Sequence, residues 1–166
     1  MEKFDLVIIG AGPAGYAAAM RALDFKKKTL LIEKNRVGGA GVTNGALSSK
    51  TWWELARDAS AFRRSLKRYN IQAPAISFKE IQSEVRKAVQ ERKSLLEEHM
   101  QQLNISSYAN LLSYKSGHAK LLTQHEIEIT NGIRKEIVFA ENIILATGSR
   151  PRFLPELPID EKIVLT

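Results

Sequence analysis

No cysteine occurs in this sequence, so disulfides, thiolate metal sites and thiol redox chemistry are excluded within the chain. Histidine is scarce, with three among 166 residues. None of the three stands in a His/Asp/Glu cluster at ligand spacing, so no metal centre is expected. No apolar run approaches the length of a membrane span, and no membrane partner is expected. The first apolar run begins almost at Met1, leaving no room for a signal or transit peptide, and the expected location is the cytoplasm. Internal repeats and low-complexity segments are absent. Aromatic residues amount to 7% and do not interleave the basic clusters Lys26-Lys27-Lys28 and Arg63-Arg64 with Lys67-Arg68. The net charge of +7 is therefore read as a solvated basic surface, with no nucleic-acid partner.

What is present centres on Asp5 to Gly15, DLVIIGAGPAG. Asp5 to Ile9 is a β-branched apolar run without alternation, as expected of a strand buried on both faces of a parallel sheet. It leads into Gly10-x-Gly12-x-x-Gly15 and then Tyr16-Ala17-Ala18-Ala19-Met20, a strong helix former. Gly10 permits the tight turn, Gly12 lets a phosphate approach the backbone, and Gly15 lets helix and strand pack closely. The helix N-terminus offers free N–H groups to a pyrophosphate. A second strand, Thr29-Leu30-Leu31-Ile32, ends in Glu33, placed where an acid would bind a ribose hydroxyl. Strand, glycines, helix, strand and acid in this order predict a dinucleotide site.

The first helix is expected to end near Phe25. A glycine-rich passage from Val37 to Gly45 follows the second strand, as though the backbone passes close to a ligand. Ser48-Ser49-Lys50 is expected to open a second helix, which carries Trp52, Leu55, Ala56, Ala59, Phe62 and Leu66. Ser77 and Glu80 form a capping box for a third helix, with Ile76 and Ile81 placed as its hydrophobic staple. Phe78, Ile81, Val85, Val89, Leu96, Met100 and Leu103 follow helical spacing and read as core. Ile105 to Tyr108 is read as a further strand, and Leu111 to Tyr114 as the start of a run of β segments. Glu126 to Ile129 alternates, Asn131-Gly132 suits a two-residue hairpin turn, and Ile137-Val138-Phe139 returns. Asn142-Ile143-Ile144-Leu145 reads as a buried parallel strand entering Ala146-Thr147-Gly148.

Four pieces now carry a resemblance: GAGPAG (Gly10 to Gly15), LLIEK ending at Glu33-Lys34, GGAGVTNGALSSK (Gly38 to Lys50) and ILATGSRP (Ile144 to Pro151). Together they resemble the N-terminal FAD-binding portion of the class I pyridine nucleotide–disulfide oxidoreductases, the group of dihydrolipoamide dehydrogenase, glutathione and mercuric reductases and soluble transhydrogenase. The resemblance implies an α/β, Rossmann-like three-layer FAD-binding domain, with a parallel sheet, helices and a small antiparallel β-meander. It implies FAD as cofactor and NAD(P)H as co-substrate of the complete protein. By the same matching, Gly10, Gly12, Pro13, Ala14 and Gly15 would face the pyrophosphate, and Glu33 with Lys34 the adenosine ribose. Gly39, Ala40 and Gly45 would pass under the flavin half. Gly117, His118 and Ala119 would offer backbone groups to adenine, while Ala146, Thr147 and Gly148 would lie against the cofactor. Lys50 matches a lysine near the reactive edge of the flavin, where a cation stabilises the anionic reduced ring.

The departures from that pattern bear on chemistry. The redox cysteines of the group, spaced C-x4-C, fall on Gly41 and Ala46, and Ser48 takes the place of a proline. Dithiol–disulfide exchange by the usual route is therefore excluded, whereas electron transfer from NAD(P)H through FAD to a quinone, a dye-like acceptor, oxygen or another nicotinamide is not. Residues 1–166 are expected to be one incomplete domain. The second glycine fingerprint, the closing segment of the FAD domain and the dimerisation domain would lie beyond Thr166. The absent part would be this chain's partner, homodimers would form only in the complete protein, and the sheet would lack its last parallel strand. Trp52 and Trp53 are candidates to shield the flavin, one of them expected in the core. His99 and His125 read as solvated, and Ser48 and Ser49 as helix caps. Two other readings stay open: a flavin-binding module without turnover, and a single-fingerprint NAD-dependent dehydrogenase, for which no catalytic acid or base is found.

Overall fold

In the structure, a computed structural model, the described residues are 1–150 without Asn44 and Ser107, together with Arg152, Pro155 and Glu156. Of the expected motif residues, Asn44 and Pro151 lie outside them, and so does the chain end at Thr166. Among the described residues, four helices and six strands follow the order β1 (Glu2–Ile9), α1 (Pro13–Asp24), β2 (Thr29–Glu33), α2 (Gly39–Val42), α3 (Ala46–Arg68), α4 (Phe78–Ile105), β3 (Leu112–Ser116), β4 (His118–Leu121), β5 (Glu126–Asn131) and β6 (Arg134–Leu145).

All strands join one sheet in the order β3-β2-β1-β6-β5-β4. Its β3-β2-β1-β6 part is parallel, and β6-β5-β4 is antiparallel. Strand alternation separates two cores. Ile8, Leu31 and Leu112 face α1 and α4, where Ala19, Leu23, Leu96, Met100 and Leu103 complete one buried cluster. Val7, Ile9, Leu30 and Ile32 face the opposite way, onto Ile127, Ile129, Val138 and Ala140 of β5 and β6. The sheet curls over itself to do this. Gly117, just past β3, lies against Ile129 and Thr130 of β5, four strands away in the order. The α/β, three-layer expectation is met: helices, parallel strands and an antiparallel layer.

Several local expectations change. Ile105, Ser106 and Tyr108, the described residues of the expected strand from Ile105 to Tyr108, are not in a strand, because α4 continues past its buried Leu96/Met100/Leu103 stripe to Ile105 and turns where the Ser106 hydroxyl donates to the Leu103 carbonyl. The hairpin loop is Gly132-Ile133, one residue later than expected. Asn131 stays in the ladder opposite Arg134, and Gly132 at φ +60° takes the first turn position of a type II′ pattern. The returning segment and the last expected strand are one strand, β6, which pairs with β5 through Phe139 and with β1 through Leu145. Ile144 and Leu145 are 39% and 62% exposed rather than buried. Among the described residues no strand pairs with their free edge. The second helix opens at Ala46, two residues early, with Gly45 as N-cap. Ser48 and Ser49 therefore lie inside its first turn, where both hydroxyls donate to the Gly45 carbonyl, and neither caps.

Ser77 does cap α4, its hydroxyl accepting from Glu80 N at 3.3 Å. Phe78 is exposed instead of core, with its ring stacked on Trp52. No residue of α3 is buried, so neither tryptophan is a core residue. His125 is not fully solvated: its Nδ1 donates to the Ala140 carbonyl at 2.9 Å and its ring stacks on Phe139. Exposed His99 bonds the Tyr16 hydroxyl, tying α1 to α4. No helix among the described residues is long and apolar enough to cross a membrane.

Lys115 bridges the start of β1 to β6, its ammonium donating to Glu136 at 2.8 Å and to Glu2 at 3.3 Å. Burial alone would lower its pKa, but the hydrogen bonds and charges of Glu136 and Glu2 outweigh burial and hold it above the usual lysine value of 10.5. Because the folded state holds this proton more tightly, the stabilisation is complete below pH 10.5 and fades as pH rises through the raised value. Lys115→Met should cost about 1 kcal/mol at neutral pH, and urea titrations should show the gap to the parent closing in strong alkali.

Candidate functional site

The carboxyl ends of β1, β2, β3 and β6 converge on the turn between β1 and α1. Gly10 N donates to the Ile32 carbonyl at 2.8 Å, and Ala146 N donates to the Ile9 carbonyl at 2.8 Å. The turn is so tight that Gly10 sits on the Ala146 carbonyl. Helix α1 begins with Pro13 at its first position, with no side-chain cap and no acid in its first turn. By position, the Ala14 and Gly15 N–H groups have no intrahelical acceptor, and the helix dipole adds partial positive charge there. That end can receive an anion.

Glu33 closes the other side. Among the described residues it is one of two buried polar ones, 8% exposed, and both carboxylate oxygens are held. Oε2 accepts from Ala11 N at 2.6 Å, and Oε1 accepts from Asn35 N at 2.8 Å. Each oxygen keeps a further lone pair for a ligand hydroxyl. The Glu33 carbonyl accepts from Gly117 N at 2.9 Å, which brings the β3–β4 junction to the same edge. Burial, and then the carboxylates of Glu33 and Glu97, push the Tyr114 hydroxyl above its usual pKa. Burial likewise raises Tyr16, against the pull of Arg92.

The glycine passage folds onto this turn. Gly38 N donates to the Ala11 carbonyl at 2.8 Å, and α2 rests on Gly12 and Pro13. A Cβ on Gly41 would stand 2.7 Å from Pro13 Cγ, a distance that side-chain carbons do not adopt. The position matching a redox cysteine is therefore packed as well as substituted.

A family model described as pyridine nucleotide-disulphide oxidoreductase matches residues 4–164. The chain belongs to that family. Its relatives within the family include dihydrolipoyl dehydrogenase of Chlamydia trachomatis serovar D, 34% identical over 163 residues, covering 95% of this chain and 32% of the relative. The Bacillus subtilis (strain 168) dihydrolipoyl dehydrogenase is 32% identical, covering 99% and 35%. The soluble pyridine nucleotide transhydrogenase of Hahella chejuensis is 29% identical over 93% of this chain and 32% of its own length. Among solved structures, the Cu(II) complex of the HOCl-induced flavoprotein disulfide reductase RclA from Escherichia coli superimposes with a TM-score of 0.70 at 20% identity, over 93% of this chain and 31% of that one. That likeness concerns the fold. The chain spans about a third of the length of these family members.

Of the expected site residues, the structure gathers Gly10, Gly12, Pro13, Ala14, Gly15, Glu33, Gly39, Gly117 and Ala146 at one edge, linked by the contacts above. Lys34 follows Glu33 and is exposed. Ala40 lies in α2 with its carbonyl beside Gly45, the N-cap of α3. His118 and Ala119 open β4, opposite Thr130 and Ile129. Thr147 and Gly148 are exposed past β6, and Lys50 is exposed on α3 without an ion pair among the described residues. Sequence reasoning missed Ala11 and Asn35, whose backbone N–H groups orient Glu33. Such roles leave no side-chain signal. Gly38, in the left-handed region at φ +99°, was visible only as one glycine among many.

Proposed function

We propose that this chain is the FAD-binding part of a flavin-dependent NAD(P)H oxidoreductase, similar to dihydrolipoyl dehydrogenase, that works without a redox-active disulfide. The observation that carries this reading is the buried Glu33 carboxylate, fixed by two backbone N–H groups beside an uncapped helix N-terminus. One end suits a pyrophosphate and the other a ribose diol, so the residues present fit the cofactor. Bound FAD would supply hydride-transfer chemistry that no side chain here provides.

The chain's own residues bind and orient. Ala14 and Gly15 N–H would donate to the pyrophosphate, with Gly10, Gly12 and Pro13 leaving room for it. Glu33 would accept from the adenosine ribose, with the Lys34 cation alongside. Gly39, Ala40 and Gly45 would carry the backbone beneath the flavin half. Gly117, His118 and Ala119 would present backbone groups to adenine, and Ala146, Thr147 and Gly148 would line the exit from the sheet. Lys50 would place a positive charge near the reactive edge. Because the Gly41 position is closed against Pro13, an acceptor would meet the flavin without a protein thiol between them. On this reading the nicotinamide site and the dimer contacts would belong to the further two-thirds that relatives possess, and this chain alone would bind the cofactor without turning over.

The test is the visible spectrum of the purified chain after FAD is added and the excess removed. Retained bands near about 370 and 450 nm are expected. A folded, colourless chain that binds NADH instead would overturn the reading. The closed Gly41 position also favours a second reading, a flavin-binding module without turnover. NADH or NADPH oxidation by a longer protein carrying this domain separates the two, since sustained oxidation removes the module.

A further inference from the structure

We propose that Arg92 of α4 supplies a side-chain cation to the pyrophosphate of the cofactor. Arg92 belongs to none of the four matched sequence pieces, and its assignment rests on the flavin reading. Val85, Val89, Arg92, Leu96, His99 and Leu103 recur at helical spacing along one face of α4. On that face Val85, Leu96 and Leu103 are buried, and exposed His99 meets Tyr16 of α1. Arg92 is exposed and meets no partner: among the described residues it forms no ion pair and no side-chain hydrogen bond. Its neighbours three and four residues away are Ala88, Val89, Leu95 and Leu96, so its own helix offers it no carboxylate. An unpaired arginine within an otherwise inward-facing stripe marks a gap in the packing of α4.

Two contacts on either side of α1's start locate that gap. His99 bonds the Tyr16 hydroxyl, and Leu96 lies against Gly38, its Cδ1 3.2 Å from where a Cβ on that glycine would stand. Helices α1 and α4 both descend from the carboxyl edge of the sheet, since α1 leads into β2 and α4 into β3, each parallel to β1 or its neighbour. Going back along α4 from His99 therefore climbs toward the carboxyl edge. Arg92 stands seven residues back, about 10 Å higher along the axis, and one turn above the Leu96–Gly38 contact. That is the level of the uncapped α1 N-terminus and of the seam where Gly39 rests on Gly12. The Arg92 charge is felt at the Tyr16 hydroxyl, pulling its pKa down against the effect of burial. Glu33 makes no ion pair with it, because both carboxylate oxygens are bonded by Ala11 N and Asn35 N. A guanidinium presents parallel N–H donors that match phosphate oxygens. From the side, it would complete what the α1 N–H groups offer from below.

The test is titration of FAD, ADP and adenosine into the 166-residue chain and into Arg92→Met, which keeps a long, helix-forming side chain. Arg92→Met is expected to bind FAD and ADP at least about tenfold more weakly. It should bind adenosine as the parent does, and unfold in urea at the parent's midpoint or above it. Added salt should weaken ADP binding by the parent more than by the variant. Arg92→Lys should recover part of the ADP affinity, because it restores the charge without the paired donors. Unchanged FAD and ADP affinities in Arg92→Met would overturn the contact and leave the flavin reading standing. An equal loss for adenosine would overturn it too, since Arg92 would then act through the fold. A parent that takes ADP but not FAD, with the variant weakened, would keep the phosphate contact and remove the flavin reading. A folded parent that binds none of the three would overturn both.

Discussion

Gly15→Ala is expected to unfold the chain, while Gly12→Ala, three residues away in the same motif, is expected to leave it folded and unable to hold FAD. The contrast rests on what a Cβ would meet. At Gly15 it would lie 1.8 Å from the Gly10 carbonyl oxygen and 3.2 Å from Ala146 Cβ. Both neighbours are fixed, the first by the turn and the second by Ala146 N bonding the Ile9 carbonyl. Neither can move without parting α1 from β1 and β6, the centre of the sheet. The cost should exceed the roughly 1–3 kcal/mol of ordinary overpacking, a large share of the stability of a domain this size. At Gly12 the nearest atom would be Gly39 Cα at 4.0 Å, an ordinary contact, and φ is −70°. Alanine there should alter stability by under about 1 kcal/mol. Its methyl would nevertheless stand where a phosphate approaches the backbone. Urea unfolding followed by circular dichroism, with flavin absorption after desalting, reads both effects. A folded Gly15→Ala protein would mean that α1 can slide along the sheet. A Gly12→Ala protein that keeps its flavin would place the pyrophosphate elsewhere.

The parts of this architecture legible in the sequence are those where one residue type has one local use. The run DLVIIGAGPAG followed by an alanine-rich helix, and TLLIE ending in an acid, specify strand, turn and helix through backbone geometry that only those residues allow. β2 occupies Thr29–Glu33 as expected. The Ser77 cap was readable for the same reason. What was not legible depends on partners distant in sequence. The long strand β6 serves two ladders, and no pattern within Arg134 to Leu145 says that its first half pairs backward with β5 while its second half pairs with β1. The α4 boundary was lost because Ile105 continues an apolar run that suits helix or strand equally. Within the site, Glu33 was found by its distance from the glycines. Its anchors, Ala11 and Asn35, act through main-chain N–H groups that every residue but proline possesses. The packing of Gly41 on Pro13 was equally hidden, since sequence shows a missing thiol but not the missing space.

Glu33→Gln is expected to lose both stability and cofactor, and the two losses can be separated. In the parent, the carboxylate has only acceptors to offer, and it faces two donors, Ala11 N at 2.6 Å and Asn35 N at 2.8 Å. Glutamine keeps the shape but replaces one acceptor with an NH2 group. Whichever way the amide turns, one backbone N–H then confronts another donor at a site only 8% exposed. A buried donor left unpaired costs about 1–3 kcal/mol, so the midpoint of unfolding should fall without ligand present. On the flavin reading, the ribose hydroxyls also exchange a charged acceptor for a neutral one, worth about 1.5–3 kcal/mol, or a tenfold or greater loss of affinity. Glu33→Asp retains the charge but shortens the reach by one methylene, so it should lose the Ala11 bond and part of the stability while keeping an acceptor for the ribose. Unfolding measured with and without saturating FAD distinguishes the terms, because ligand linkage adds stability only in proportion to occupancy. If Glu33→Gln were destabilised yet bound FAD as tightly as the parent, the carboxylate would be a structural clamp on the phosphate turn, and the ribose would have to be held by other groups at that edge, with Lys34 and the Gly117 backbone the first to substitute.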